Sequence, residues 1–378
     1  VERADVLIVG GGPAGSACAT ALVAGGADTL VLDAAAFPRD KPCAGWITPE
    51  VVAELPMDLD EYGRTHTLQP ISRFRIGRIG GRGVDVDYAA PVSYGIRRSE
   101  LDAELLRRSG ARVRQGERVH QIHREGGEWV VNEACAAPML VGAGGHFCPV
   151  ARELSGPAET APVVVAREIE YRLEGTALAS CRVEPDRPEL DFCRDLEGYG
   201  WCFRKGDYLN VGLGRRDPRG LGRHVEAYVE WLVGQGRLER PPRRGWRGHA
   251  YRLRAGRPAW PVAQGALLVG DAAGLAFSAS GEGILPALLS GRLAARTILE
   301  AAGDYAEVRL EGYARRLDAE LGLPSRRRAL PAPVARLAGA ALLASPWFAR
   351  RVVLDAWFLH RDANAGRPSE SPLRRAAV

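Results

Sequence analysis

At 378 residues the chain exceeds what one hydrophobic core usually serves, and its 46% apolar content is enough to bury more than one. The net charge of +5 is almost wholly arginine, since lysine occurs only as Lys41 and Lys205; arginines scattered among Gly, Ala and Pro are a compositional bias, which argues against a nucleic-acid partner. Seven cysteines without a C-x-x-C pair argue against a disulfide framework or structural zinc, and no metal site is expected.

DVLIVG (residues 5–10) predicts a short, fully buried strand, and the chain enters it with no basic n-region or long apolar h-region. The expectation is a cytoplasmic protein. Glycines and the small-residue helix AGSACATALVAGG follow, and TLVLD (Thr29 to Asp33) predicts the strand that completes a β-α-β unit. RIGRIGGRGVDVDY ends in the alternation of an antiparallel strand, and SELDAELLRRSG (Ser99 to Gly110) predicts a helix with Ser99 as its N-cap and Gly110 as its stop. RVHQIHREGGEWVV carries a Gly-Gly hairpin signal, with His120 and His123 read as structural or exposed, and MLVGAGG predicts another buried strand.

From about residue 163 to 215 the pattern is strand-rich: VVVAREIEYRL, then GYGWCFRKGDYLNVGLG, read as a hairpin with Lys205-Gly206-Asp207 at its tip. HVEAYVEWLVGQG predicts a helix, GALLVGDAAG a returning buried strand, and GILPALLSGRLAARTILEAAG a long helix. The apolar stretch Leu337 to Ala349 is too short to span a bilayer and contains Pro346, but it could rest on a membrane surface. Residues 324–378 carry no usable motif.

Gly10-x-Gly12-x-x-Gly15, with Pro13 and Ala14 between the last two glycines, follows a strand and opens a helix, and Asp33 ends the next strand. In that context Gly10 permits the tight turn, Gly12 lets the backbone approach a pyrophosphate, and Gly15 permits close helix–strand packing. Asp33 would accept hydrogen bonds from an adenosine ribose without a 2′-phosphate. A second motif, ALLVGDAAGLAFSASGEGI (Ala266 to Ile284), separates FAD from NAD. Gly270 and Asp271 end a buried strand where Asp271 can meet a ribityl chain, and Gly281-Glu282-Gly283-Ile284 opens a helix whose amides can face a flavin.

This pairing of distant motifs resembles the glutathione-reductase-type FAD fold of the hydroxylases, flavin-dependent halogenases and geranylgeranyl reductases. The resemblance implies an α/β fold: a Rossmann-like FAD-binding domain (1–70, 95–155 and 255–305), an inserted antiparallel substrate domain (71–94 and 156–254) and a helical C-terminal region (306–378). Arg98 matches a basic residue that lies near the cofactor in that superfamily. Lys41-Pro42-Cys43-Ala44-Gly45 resembles the Lys-Pro-Cys-Gly-Gly segment of geranylgeranyl reductases, in the loop that runs towards the flavin, which puts Lys41 and Ala44 at the cofactor. Tyr199 to Gly214 resembles their Tyr-x-Trp-x-Phe-Pro strand and hairpin.

The resemblance implies reduction of a C=C bond of a long apolar substrate by hydride from reduced flavin, with the Cys43 thiol as the nearby proton donor. On packing grounds alone Cys43 fits equally as a small buried hydrophobe. Tyr199 and Trp201, two apart on a strand, share a face that either walls a substrate pocket or packs the sheet. Of the remaining cysteines, Cys202 is expected to face the pocket.

Departures from the pattern keep other readings open. Ala44 stands where the reductases have a glycine and is followed by the bulky Trp46, which implies a narrower channel or one suited to an aromatic group, Arg204 replaces a proline, and Ser278 replaces the proline before the Gly-Glu-Gly turn. Gly144 replaces an Asp that in hydroxylases assists nicotinamide-dependent reduction, which leaves room for a separate electron donor. The alternatives are an FAD-dependent monooxygenase, a hydroxylase before a halogenase, acting on an aromatic ring of a small, carrier-bound or peptide-bound substrate, and a non-catalytic flavoprotein electron carrier. Tyr199 in place of the first Trp of the halogenase Trp-x-Trp-x-Ile-Pro pattern argues against halogenation.

Overall fold

The computed structural model describes residues 1–155, 163–254, 262–322, 339 and 341–360. Elements used below are, in chain order, β1 (Val6–Val9), α1 (Pro13–Ala24), β2 (Thr29–Asp33), β3 (Arg73–Arg78), β4 (Val84–Asp87), α2 (Arg98–Arg108), β5 (Arg112–Gln115), β6 (Met139–Gly142), β7 (Val163–Arg172), β8 (Glu189–Phe192), β9 (Gly198–Lys205), β10 (Tyr208–Arg215), α3 (Leu221–Gly234), β11 (Arg247–Arg252), β12 (Val262–Ala263), β13 (Ala266–Leu268) and α4 (Ile284–Ala301).

The all-apolar runs β1, β6 and β13 are buried along their whole length, as strands covered on both faces must be. They lie in a six-stranded sheet of order β12-β13-β6-β1-β2-β5, parallel throughout except for the β12–β13 hairpin. Helices α1 and α4 pack backbone to backbone because α4 carries Gly291 at the crossing. A Cβ there would lie 3.0 Å from the Cys18 nitrogen and 3.1 Å from the Ala14 carbonyl carbon. α2 begins at Arg98 with Arg97 as N-cap, so Ser99 lies inside the first turn and is not the cap expected from the sequence.

The second sheet has the order β11-β7-β10-β9-β8-β3-β4, antiparallel except where β8 runs parallel to β3. One face is sealed by α3, whose Val225, Tyr228, Val229 and Leu232 pack against Val211, Leu213 and Cys202. Cys202 therefore points away from the face that carries Tyr199 and Trp201, contrary to the expectation. The two-residue period of a strand sends it to the opposite side. The other face packs Trp201 and Phe203 against Trp46 and the π-helical segment Ala349–Phe358. No helix among the described residues is long and apolar enough to cross a membrane.

A buried charge ties the second sheet to the chain around Ala44 and Ile96. Lys205 is not the hairpin tip but the last residue of β9, 1% exposed; the turn is Gly206-Asp207. Its side chain passes Gly95 and Gly45, and its ammonium donates to the Ala44 and Ile96 carbonyls, both at 3.0 Å, and pairs with Glu170. Gly45 has φ +67, and a Cβ there would come 2.5 Å from the Lys205 nitrogen, so glycine is required on both counts.

Removing this ammonium leaves two carbonyls without their donor and takes a cation from Glu170. Lys205→Met is expected to lower unfolding free energy by about 3–5 kcal/mol, read from urea denaturation. Arg204→Met, next along the strand with a single carbonyl contact, should stay within about 0.5 kcal/mol of the parent.

Candidate active site

The β1–α1 turn is built by its glycines. Gly10 has φ +113, and a Cβ on it would lie 2.8 Å from the Gly144 nitrogen, while a Cβ on Gly15 would overlap the Gly10 carbonyl oxygen. Gly15 thus holds helix to strand without lining the cavity, whereas Gly10, Gly12, Pro13 and Ala14 all line it. Asp33, at the end of β2, accepts from the Gly11 and Ala35 amides at 2.7 and 2.8 Å. Two fixed donors orient its carboxylate at the cavity wall, where a ribose would be recognised.

The cavity, about 490 Å³, continues from this cradle to Asp271 and the N-terminus of α4, where Gly281, Gly283 and Ile284 line it. Gly270, with φ +59, turns the chain after β13 and stays outside the lining. Gly281 has φ +76 and lies under Tyr251, whose hydroxyl would be 2.6 Å from a Cβ there. Tyr199 donates its hydroxyl to the Ser280 carbonyl at 2.7 Å, tying the second sheet to this turn. His249 lies 3.7 Å from Asp271 and 3.2 Å from the Lys41 ammonium. Burial by itself would raise the Asp271 pKa, but the His249 contact and the Lys41 charge outweigh it and hold the carboxyl below its usual range. Burial pushes Lys41 down.

Cys43 lies where the cavity meets the second sheet, and side chains of that sheet hold its backbone. The Cys43 amide donates to Glu168 at 2.8 Å, and its carbonyl accepts from Asn210 at 3.1 Å. Arg98 is buried beside it in a two-bond pair with Asp102 at 2.8 and 2.9 Å, joined by Arg39 at 3.2 Å. Burial opposes the Arg98 charge, yet Asp102 and Cys43 outweigh burial and raise its pKa.

The walls near Cys43 are aromatic. Trp46 stacks on Phe358 at 5.2 Å and 25°, Tyr199 meets Trp201 at 6.1 Å, and Phe358 meets Tyr199 edge-on at 5.6 Å. Glycines on β10 make room for them: a Cβ on Gly212 would lie 2.6 Å from the Trp201 indole and 2.7 Å from the Glu168 Cβ. The indole N–H of Trp201 donates to Asn210 at 2.7 Å.

All four residues expected at the reacting end, Cys43, Trp46, Tyr199 and Trp201, line this one cavity, as do Lys41, Ala44 and Arg98. Sequence reasoning missed Glu168, His249, Tyr251 and Phe358, which line it too. The only signal was in VVVAREIEYRL, where Ala166, Glu168 and Glu170 fall on one strand face and put acids where apolar residues are due.

The glycine cradle, the ribose-facing carboxylate, and Asp271 beside a second helix N-terminus fit the two halves of FAD. A family model described as an FAD binding domain matches residues 3–70. The menaquinone reductase of Mycobacterium tuberculosis is 33% identical over 328 residues, covering 79% of this chain and 77% of that protein. The chloroplastic geranylgeranyl diphosphate reductase of Oryza sativa subsp. japonica is 31% identical over 352 residues, covering 84% and 71%. A crystal structure of a geranylgeranyl bacteriochlorophyll reductase-like protein from Thermoplasma acidophilum has the same fold, with a TM-score of 0.71 at 21% identity, over 91% of this chain and 88% of that one. The chain belongs to the FAD-dependent oxidoreductases of the geranylgeranyl-reductase and flavin-halogenase/hydroxylase superfamily, with a glutathione-reductase-type fold and FAD as its cofactor.

Proposed function

We propose that the protein reduces a carbon–carbon double bond in a long apolar substrate of the polyprenyl kind. The observation that carries this reading is that Cys43 lines the same cavity as the aromatic walls and the α4 N-terminus. Bound FAD, once reduced, supplies a hydride. Trp46, Trp201 and Phe358 bind the apolar chain and exclude water, and the Cys43 S–H gives a proton to the carbon that does not take the hydride. The N-terminal amides of α4 favour the negative charge of the reduced cofactor. The names of the two relatives point to menaquinone and geranylgeranyl diphosphate, both of which carry polyprenyl chains, and this supports the substrate class.

Gly144 lines the cavity and brings no carboxylate to it, which supports a separate electron donor over direct nicotinamide use. Near the C-terminal end, Trp347 is 68% exposed and Leu342 is 42% exposed, with Arg350 and Arg351 close in sequence. Such a face suits peripheral contact with an anionic bilayer, the source of an apolar substrate.

A monooxygenase reading rests on the same aromatic walls, which would also hold an aromatic ring. Its halogenase form is weakened because Lys205 is engaged with Glu170 and two carbonyls, leaving Lys41 as the one lysine at the cavity.

Two outcomes test the reading. In anaerobic single-turnover experiments with a prenyl diphosphate, Cys43→Ala should retain its flavin but slow substrate-driven reoxidation by about 100-fold or more. Phe358→Ala should raise KM for a long prenyl substrate with little change in kcat; ¹⁸O transfer from O₂ into an aromatic product would favour the monooxygenase instead.

A further inference from the structure

A second cavity of about 50 Å³ adjoins the first. Asp40, Lys41, Cys43, Arg98 and Glu168 line both, whereas Glu170, Asn210 and Ser99 line only the smaller one. Its outer side carries Asp40 and Arg247, whose ion pair is 57% exposed on each side chain. A space of this size with polar walls accommodates one or a few waters. It therefore connects the Cys43 loop to solvent by a path that avoids the aromatic walls.

Glu168 stands at the junction. It is 5% exposed, and only one of its oxygens, Oε1, is engaged, by the Cys43 amide. Oε2 is buried with no hydrogen-bond partner among the described residues. Its neighbour Glu170 is instead paired with Lys205 and with Arg97 at 3.1 Å. An unpaired acid beside a doubly paired one, at the boundary between a reaction chamber and a wet cavity, is placed to carry protons between them.

We propose that Glu168 recharges the Cys43 thiol with protons drawn from solvent through the second cavity; this rests on the alkene-reduction reading above. One substrate carbon takes the hydride and the other takes the Cys43 proton, so reduced FAD is oxidised and the double bond becomes a single bond. The thiolate left on Cys43, beside the Arg98 guanidinium, takes the Glu168 carboxyl proton, and water in the second cavity reprotonates the carboxylate. Each turnover thus consumes one hydride and one proton.

The electrostatics agree. Burial pushes the Glu168 carboxyl up to about 7, with the Glu170 charge adding to that and the Cys43 amide, Lys205 and Asn210 opposing it. Asp40 and Lys41 from the cysteine loop, Arg97 and Arg98 at the start of α2, and Arg247 from β11 complete the charges around the second cavity. Glu168 is therefore protonated below about pH 7 and loses its proton as pH rises through that value, so proton supply should fail on the alkaline side.

The test uses the FAD-loaded protein, with E168Q keeping an acceptor for the Cys43 amide. For E168Q, as for the parent, later turnovers are compared with the protein's own first turnover with a prenyl diphosphate, which comes before any recharging of the thiol is needed. With dithionite as reductant, later turnovers should slow by about 100-fold and lose the parent's decline above neutral pH. S99L, which narrows the second cavity without touching the chamber lining, should also slow later turnovers only. Equal slowing of the first and later turnovers, or of neither, would overturn the proposal.

A substrate-free readout separates this proposal from the functional reading. Burial pushes the Asp191 carboxyl up to about 7 as well, so the readout is the protonated-carboxyl band of the oxidised holoenzyme that disappears as pH rises through neutrality and appears as a loss in the E168Q-minus-parent infrared difference spectrum. Without such a band Glu168 is not the proton source, whatever the substrate. If the band is present but the parent leaves every prenyl probe unreduced, the alkene-reduction reading falls and takes the thiol step with it.

Discussion

The arrangement of the site depends on a lysine ammonium with no access to water. Burying Lys205 costs several kcal/mol of desolvation, recovered only if its charge is paired and its donors are met. Glu170, the Ala44 carbonyl and the Ile96 carbonyl meet all three N–H groups at once. Two partners lie outside the antiparallel sheet, on the cysteine loop and just before α2, so the ammonium can be satisfied only when the sheet is docked on the cofactor-holding half. The same docking brings Asn210 and Glu168 to the Cys43 carbonyl and amide.

With that loop fixed, the chamber's shape follows from small residues beneath large ones. Gly212 lies opposite both Glu168 and Trp201 in register, and the indole lies across the space a side chain would take. Trp201 is then held by its bond to Asn210, which also holds Cys43, so the aromatic wall and the thiol share one anchor. Tyr199 extends the coupling to Ser280, next to the turn that opens α4. The thiol, the wall and the positive helix end thereby keep a common geometry although they come from three distant parts of the chain.

The parts of this site legible in the sequence were those whose geometry is local. Glycine spacing between a strand and a helix encodes the cradle within a few residues, and the strand period placed Tyr199 and Trp201 on one face. Applied consistently, that period would also have turned Cys202 away from the cavity. Lys-Gly-Asp looks like turn chemistry, and nothing adjacent to Lys205 shows that it threads between two glycines to carbonyls more than 100 positions away. Glu168 and His249 meet the cysteine loop and Lys41 across separations of 125 and 208 residues, and Phe358 comes from a segment without a motif. Such contacts are set by sheet register and docking, which local patterns do not encode.

The most direct test of alkene reduction is the mass of the product. The purified protein, reduced in D₂O under strict anaerobiosis, would be mixed with geranylgeranyl diphosphate or a menaquinone, and the prenyl chain analysed by mass spectrometry. Alkene reduction predicts a chain that has lost a double bond and gained two deuterium atoms, one from the reduced flavin and one from the proton donor. A chain recovered with every double bond intact while the flavin remains reduced would contradict it.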